Sequence, residues 1–295
     1  MKILLTGKNG QVGFELRRSL APLGEILAVD QSVCNLTEES SIRQLVQAFV
    51  PEVIVNPAAY TAVDKAESDR VTAHAVNAEA PRILGEEAAR LGALVIHFST
   101  DYVFDGEKDG FYTESDATNP QSVYGATKLA GELALRATDA KHLILRTSWV
   151  VGAHGGNFAK TILRLASERE SLNIVADQFG APTSAALLAD LTAHLVRSAK
   201  GPWHGAFPYG VYHAVAGGVT NWHDYACYVI ERARAGGRLI KPAPDAIRPI
   251  RAADYPTPAK RPANSRLDTC KLRQTFGLRL PDWQDGVGHI LDQIL

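Results

Sequence analysis

Lys2-Ile3-Leu4-Leu5-Thr6-Gly7-Lys8-Asn9-Gly10-Gln11-Val12-Gly13 opens the chain with an apolar run that stops in a glycine turn. Phe14, Leu16 and Leu20 follow at helical spacing, so the stretch reads strand, turn, helix. The same texture returns along the first half. Apolar runs at Glu25 to Asp30, Val53 to Ala58, Leu94 to Thr100 and His142 to Trp149 alternate with longer helical segments. They are rich in Ile, Leu and Val with little alternation, as strands covered on both faces should be. The pattern predicts an α/β fold, a Rossmann-type doubly wound parallel sheet over residues 1–150.

In open parallel sheets the ligand lies beyond the carboxyl ends of the strands. Gly7, Asp30, Ala58 to Thr61, Thr100, Asp101 and Trp149 are therefore expected to line one crevice. The small residues Gly7, Gly10 and Gly13 let backbone approach a pyrophosphate, whose charge the N–H groups at the head of the following helix can meet. Strand before, helix after and an acid at the end of the next strand are the context a dinucleotide site requires. Asp30 is that acid, placed for the adenosine ribose. A carboxylate there favours NAD over NADP, and Lys8 within the turn offsets it, so NADPH and NADH both stay open.

After Trp149 the texture changes. Residues 151–182 and 214–295 read as a smaller α+β lobe with long loops, whereas about 183–213 is expected to rejoin the first domain. Helical runs are expected to about Glu170 and from Ala185 to Ser198. Long loops in a compact enzyme commonly carry substrate contacts. Arg261 and Asn264, beside Lys260, sit in such a loop, and guanidinium suits phosphate oxygens. Trp222 and Trp283 read as apolar anchors of this lobe.

Composition narrows the class of partner. Lys plus Arg (31) balance Asp plus Glu (32) over 295 residues, so no overall field favours nucleic acid or an anionic membrane. Cys34, Cys227 and Cys270 are odd in number and widely spaced, which suits a reducing cytoplasm better than a disulfide framework. The N-terminus enters the glycine turn too early for a signal peptide, and no segment reaches the roughly 18 apolar residues of a membrane span. The histidines show no metal-ligand spacing.

Tyr124-Gly125-Ala126-Thr127-Lys128 falls in a stretch readable as a helix from Ser122 to Ala137. Residues four apart share a helix face, so phenol and ammonium can work together. An ammonium stabilises phenolate and is expected to bring the phenol toward the working pH range. The lysine can also hold a nicotinamide ribose. Ser99, Thr100 and Asp101 end the fourth strand, where Ser99 is expected among the cofactor contacts and the Thr100 hydroxyl can donate to a carbonyl.

Together TGKNGQVG, STDYVF and the YGATK segment resemble the extended short-chain dehydrogenase/reductase family. NPAAYTAVDKAE (56–67), RTSWV (146–150), NFAKTILRLA (157–166), DQFGAPT (177–183), NWHDYA (221–226) and YPTPAKRPANSRL (255–267) are similar to its dTDP-4-dehydrorhamnose reductase branch. The likeness runs from Met1 to Trp283. It implies NAD(P)H-dependent reduction of the C4 keto group of dTDP-4-dehydro-6-deoxy-L-mannose to dTDP-L-rhamnose, a donor for surface polysaccharide. Tyr124 would then be the proton donor, Lys128 its electrostatic partner and Thr100 the polarising hydroxyl. Asp101 and Trp149 would touch the sugar nucleotide. Gly10, Gln11, Val12, Asp30, Asn35, Leu36, Ala59, Tyr60 and Thr61 would grip the dinucleotide, with Asn35-Leu36 where the family often has Asp and an apolar residue.

Some members dimerise through Mg²⁺ held by glutamates. Here Glu15 stands in the first helix, but the second segment, Ser184 to Asp190, has alanine where the other glutamate is expected. A hard cation needs several oxygen ligands, and Asp190 is the carboxylate left to supply one. A monomer or weak homodimer is the expectation. Sugar-nucleotide epimerases and dehydratases share the fold, as does a non-catalytic partner of methionine adenosyltransferase. Asp101-Tyr102 after Thr100, with Tyr124 and Lys128 intact, matches the reductase pattern better.

Overall fold

The computed structural model describes residues 1–295. Five of the apolar runs form strands: β1 (Lys2–Leu5), β2 (Glu25–Ala28), β3 (Val53–Asn56), β4 (Leu94–Thr100) and β5 (Lys141–Thr147). With Gly210–His213 they make a six-stranded parallel sheet in the order Gly210–His213, β5, β4, β3, β1, β2. Several runs stop short of the expected ends. Gly7 and Asp30, for instance, lie in the turns beyond their strands, which leaves their groups free of the ladder.

Alternation along each strand sends side chains to opposite faces. Ile3, Val53, Val55, Ile96, Phe98, Leu143 and Leu145 face the helices Gln11–Leu20 and Ala185–Lys200, which pack against each other. Leu4, Ile54, Val95 and Ile144 face the helices Glu39–Phe49 and Ala80–Leu91. A separate core lies away from the sheet. It gathers the helices Phe158–Glu168, Trp222–Ala235 and Trp283–Ile294 and the parallel pair Leu172–Val175 with Ile247–Ile250. Trp283 is buried in this core, while Trp222 stacks on Trp149 at 3.6 Å between centroids. No helix is long and apolar enough to cross a membrane.

On the second face the apolar layer gives way at the carboxyl rim to polar residues. Thr6 continues from Leu4, Asn56 from Ile54, His97 and Ser99 from Val95, and Arg146 from Ile144. Pairing aligns Asn56 with His97, Ser99 with Arg146, and Arg146 with His213. The outcome is a buried polar row.

The helix Val123–Arg136 lies over that row. Ser122 caps it, its hydroxyl accepting from the Gly125 N–H at 3.2 Å. Close approach needs Gly131, where a Cβ would fall 2.0 Å from the Asn77 carbonyl oxygen in the π-helical turn Ala75–Glu79. Gly131→Ala is expected to lower stability by about 1–3 kcal/mol through overpacking, read as a lower urea midpoint.

Candidate active site

The glycine turn is built around two close approaches. Gly7 has φ +60° and lies against Ala58, and a Cβ on Gly13 would sit 2.0 Å from the Gly7 carbonyl oxygen. A side chain at Gly13 would push the helix away from the turn, and one at Gly7 would push the turn away from the Ala58 loop. No side chain caps the Gln11–Leu20 helix and no acid lies in its first turn, so its leading N–H groups keep their capacity for an anion. A dinucleotide pyrophosphate fits this donor set.

Asp30 stands beside the turn with its carboxylate already in use. It accepts from Ser32 Oγ at 2.6 Å and from the Asn9 amide at 2.9 Å, and Lys8 Nζ lies 3.2 Å away. These donors hold its pKa well below the ordinary carboxylate range, Ser32 contributing most. Asn35, expected near an adenine, is similarly engaged: its amide donates to Glu38 and its oxygen accepts from Thr37. Leu36 packs on the core, and Val12 on the opposite one. Gln11 reaches across to the Val150 carbonyl and Asn157.

Asn77 ties the crevice together. Its side chain accepts from the Tyr60 N–H at 2.8 Å and donates to the Tyr60 carbonyl and to Thr127 Oγ1, each at 3.2 Å. It thus joins the Ala58-Ala59-Tyr60-Thr61 loop to the helix that carries Tyr124. Tyr60 is pinned at its other end by Asp69 at 3.0 Å.

On that helix Lys128 and Glu132 sink into the polar row. Lys128, 2 % exposed, donates to the Phe98 carbonyl at 2.5 Å. Burial lowers its pKa to about 8, and Glu132 opposes the shift. Glu132, wholly buried, binds Arg146 by two hydrogen bonds of 2.9 and 2.7 Å and accepts from Ser99 Oγ at 2.5 Å. Ser99 is therefore committed to a carboxylate inside the protein.

Tyr124 meets Tyr102 edge-on at 5.4 Å. Its phenol is pushed above the ordinary range, mainly by burial, while the Thr100 hydroxyl pulls the other way. Here the structure differs from the expectation of an acidified phenol. Lys128 spends hydrogen bonds on Phe98 and the row beneath, and Asp101 adds negative charge near Tyr124. The phenol accordingly holds its proton, as an acid must before donating it.

Thr100 Oγ1 donates to Asp101 Oδ1 at 2.9 Å and accepts from the Tyr102 N–H. Asp101 is buried, its Oδ2 has no partner, and burial raises its pKa to about 6. Trp149 has φ +49°, presses on Gly180, and is backed by Trp222. Arg261 donates to Asp64 at 2.7 Å and to Tyr102 at 3.3 Å. Asn264 spends both amide hydrogens on the carbonyls of Lys108 and Gly110 and its oxygen on Arg266. Away from the crevice, Arg18 bonds both Glu15 (3.2 Å) and Asp190 (3.1 Å), the carboxylates considered for Mg²⁺.

Sequence reading missed Asn77, Glu132, Arg146, Asn56 and His97. Glu132 had a signal, since it follows Lys128 at the same four-residue spacing. The rest depend on strand register and helix packing.

Removing one partner of the Glu132–Arg146 pair leaves a buried charge unpaired. Arg146→Met should cost about 3–5 kcal/mol, and adding Glu132→Leu should restore most of it. Urea denaturation of the single and double variants is the check.

The model of the RmlD substrate binding domain matches residues 1–295. A dTDP-4-dehydrorhamnose reductase of Shigella flexneri is 52% identical over 298 residues, covering 100% of this chain and 98% of its own. Among solved structures, a dTDP-4-dehydrorhamnose reductase of Clostridium acetobutylicum superposes with a TM-score of 0.90 at 35% identity, covering 100% of this chain and 99% of that one. A Bacillus anthracis dTDP-4-dehydrorhamnose reductase in complex with NADP gives 0.89 at 32% identity, covering 99% of each chain.

Proposed function

The chain belongs to the RmlD substrate binding domain family, and from that membership we propose that it is an NADPH- or NADH-dependent oxidoreductase. It reduces the C4 keto group of dTDP-4-dehydro-6-deoxy-L-mannose to give dTDP-L-rhamnose. The sheet-centred part takes the dinucleotide, and the second lobe closes on the sugar nucleotide. The observation that carries the reading is the Tyr124 phenol beside the Thr100 hydroxyl at the carboxyl rim of the sheet, with Lys128 four residues on along the same helix.

When bound, a reduced nicotinamide supplies a hydride to C4 of the sugar. Tyr124, kept protonated by burial, gives its proton to the carbonyl oxygen as that oxygen gains charge. Lys128 brings a positive charge that stabilises the phenolate left behind. Thr100 has one hydrogen, spent on Asp101 in the free protein. Protonation of Asp101 reverses that bond and returns the hydrogen to the crevice, where it can meet the carbonyl. The Lys8 ammonium beside Asp30 offsets a charge that would repel a 2′-phosphate, so both cofactors suit the turn.

Trp149 is held by its neighbours as a wall for the sugar nucleotide. Arg261 serves the diphosphate by exchanging Asp64 for phosphate oxygens. Asn264 serves by holding the loop around Gly110 in place.

The 4-keto sugar nucleotide should cause loss of reduced-nicotinamide absorbance, and the product should be the L-rhamno isomer. An unchanged absorbance with both cofactors contradicts the reading. Tyr124→Phe should lower kcat by about 10²–10⁴-fold with cofactor affinity nearly unchanged, measured by steady-state kinetics and fluorescence titration. Burial depresses Lys128, so its ammonium is present below about 8 and lost above. Turnover should therefore fall as pH rises through that value, in a kcat–pH profile.

A further inference from the structure

One member of the buried row, His97, has no part in the chemistry above. It is fully buried. Its Nδ1 lies 3.1 Å from the Asn56 amide nitrogen, and the Asn56 oxygen accepts from Thr6 Oγ1 at 2.6 Å. Its Nε2 lies 3.4 Å from Lys128 Nζ. Asn56 on β3 and Thr6 on β1 are uncharged, and the charged group bearing on the ring is Lys128, itself attracted to Glu132. Burial and that ammonium keep the imidazole neutral.

A neutral imidazole has one N–H and one lone pair, whereas an ammonium has hydrogens only. The ring nitrogen facing Lys128 must then be the acceptor, which puts the ring proton on Nδ1. That proton needs an oxygen, so the Asn56 carboxamide presents its oxygen to His97 and its NH₂ to Thr6. In the structure the amide nitrogen faces the ring and the oxygen faces Thr6, so this arrangement requires a half-turn of the carboxamide, which exchanges the two with no change of position. In the opposite sense the ring would aim an N–H at Nζ, an arrangement that suits an uncharged amine.

We propose that His97 is a positioning residue for Lys128: its Nε2 takes one ammonium hydrogen, the Phe98 carbonyl takes a second, and the third is left for the crevice. Asn56 and Thr6 hold the ring in the tautomer this requires. The inference rests on the role given to Lys128 above. With the acceptor gone, the ammonium keeps one anchor, its aim loosens and its charge is less well supported.

Two substitutions separate this from a merely structural role. His97→Gln keeps an oxygen near the Nε2 position, whereas His97→Asn reaches only the Nδ1 position. His97→Asn should lose about 10- to 100-fold in kcat, the scale of a hydrogen bond to a charged group. Its fall in turnover at high pH should also begin at lower pH than in the unaltered protein. His97→Gln should stay within about threefold with the ordinary profile. Equal behaviour of the two variants overturns the proposal.

Ring-¹⁵N NMR of the unaltered, unliganded protein, with His97→Gln to assign the signal, tests the contact without relying on a variant's fold. At about pH 6.5, where lysine is an ammonium, the proton should be on Nδ1; a proton on Nε2 overturns the proposal. Absence of turnover in the unaltered protein would sink the assigned reaction instead, and the tautomer would still decide the contact.

Discussion

Two ionisable side chains from one helix, Lys128 and Glu132, reach into the interior of the sheet, and their burial is tolerable because the strands supply a row of partners. Unpaired, each would be costly to bury. Paired, they fix the helix in rotation and along its axis. Glu132 is locked to Arg146 and Ser99, and Lys128 to Phe98 and His97. Tyr124, one turn earlier on the same face, is carried to the rim by that docking.

The row itself follows from strand alternation. Leu4, Ile54, Val95 and Ile144 form an apolar layer, and the residues two further along are Thr6, Asn56, His97 and Arg146. Polar groups thus collect at the carboxyl rim, where an open parallel sheet receives its ligand. The core holds the sheet together, and the rim holds the chemistry.

Much of this was legible in the sequence. Apolar runs located the strands, and the helix bearing Tyr124 spans Val123–Arg136 against an expected Ser122 to Ala137. Contacts that depend on register were not legible, since Asn56, His97 and Arg146 lie far apart in sequence within largely apolar runs. Side-chain partners were also hidden. Asn264 could be read as a phosphate ligand, yet its hydrogen bonds close a loop. The expected acidification of Tyr124 by Lys128 does not occur in the free protein, because burial outweighs a charge that is bonded elsewhere.

The central claim is that a reduced nicotinamide held at this rim would supply a hydride to one face of a sugar carbonyl while the phenol supplies the proton. Reduced nicotinamide carrying deuterium at the transferred position, incubated with the 4-keto sugar nucleotide, tests it most directly. The account predicts one deuterium at C4 of dTDP-L-rhamnose, seen by proton NMR as loss of the H4 signal. Deuterium retained on the cofactor, or found at another sugar carbon, would contradict it.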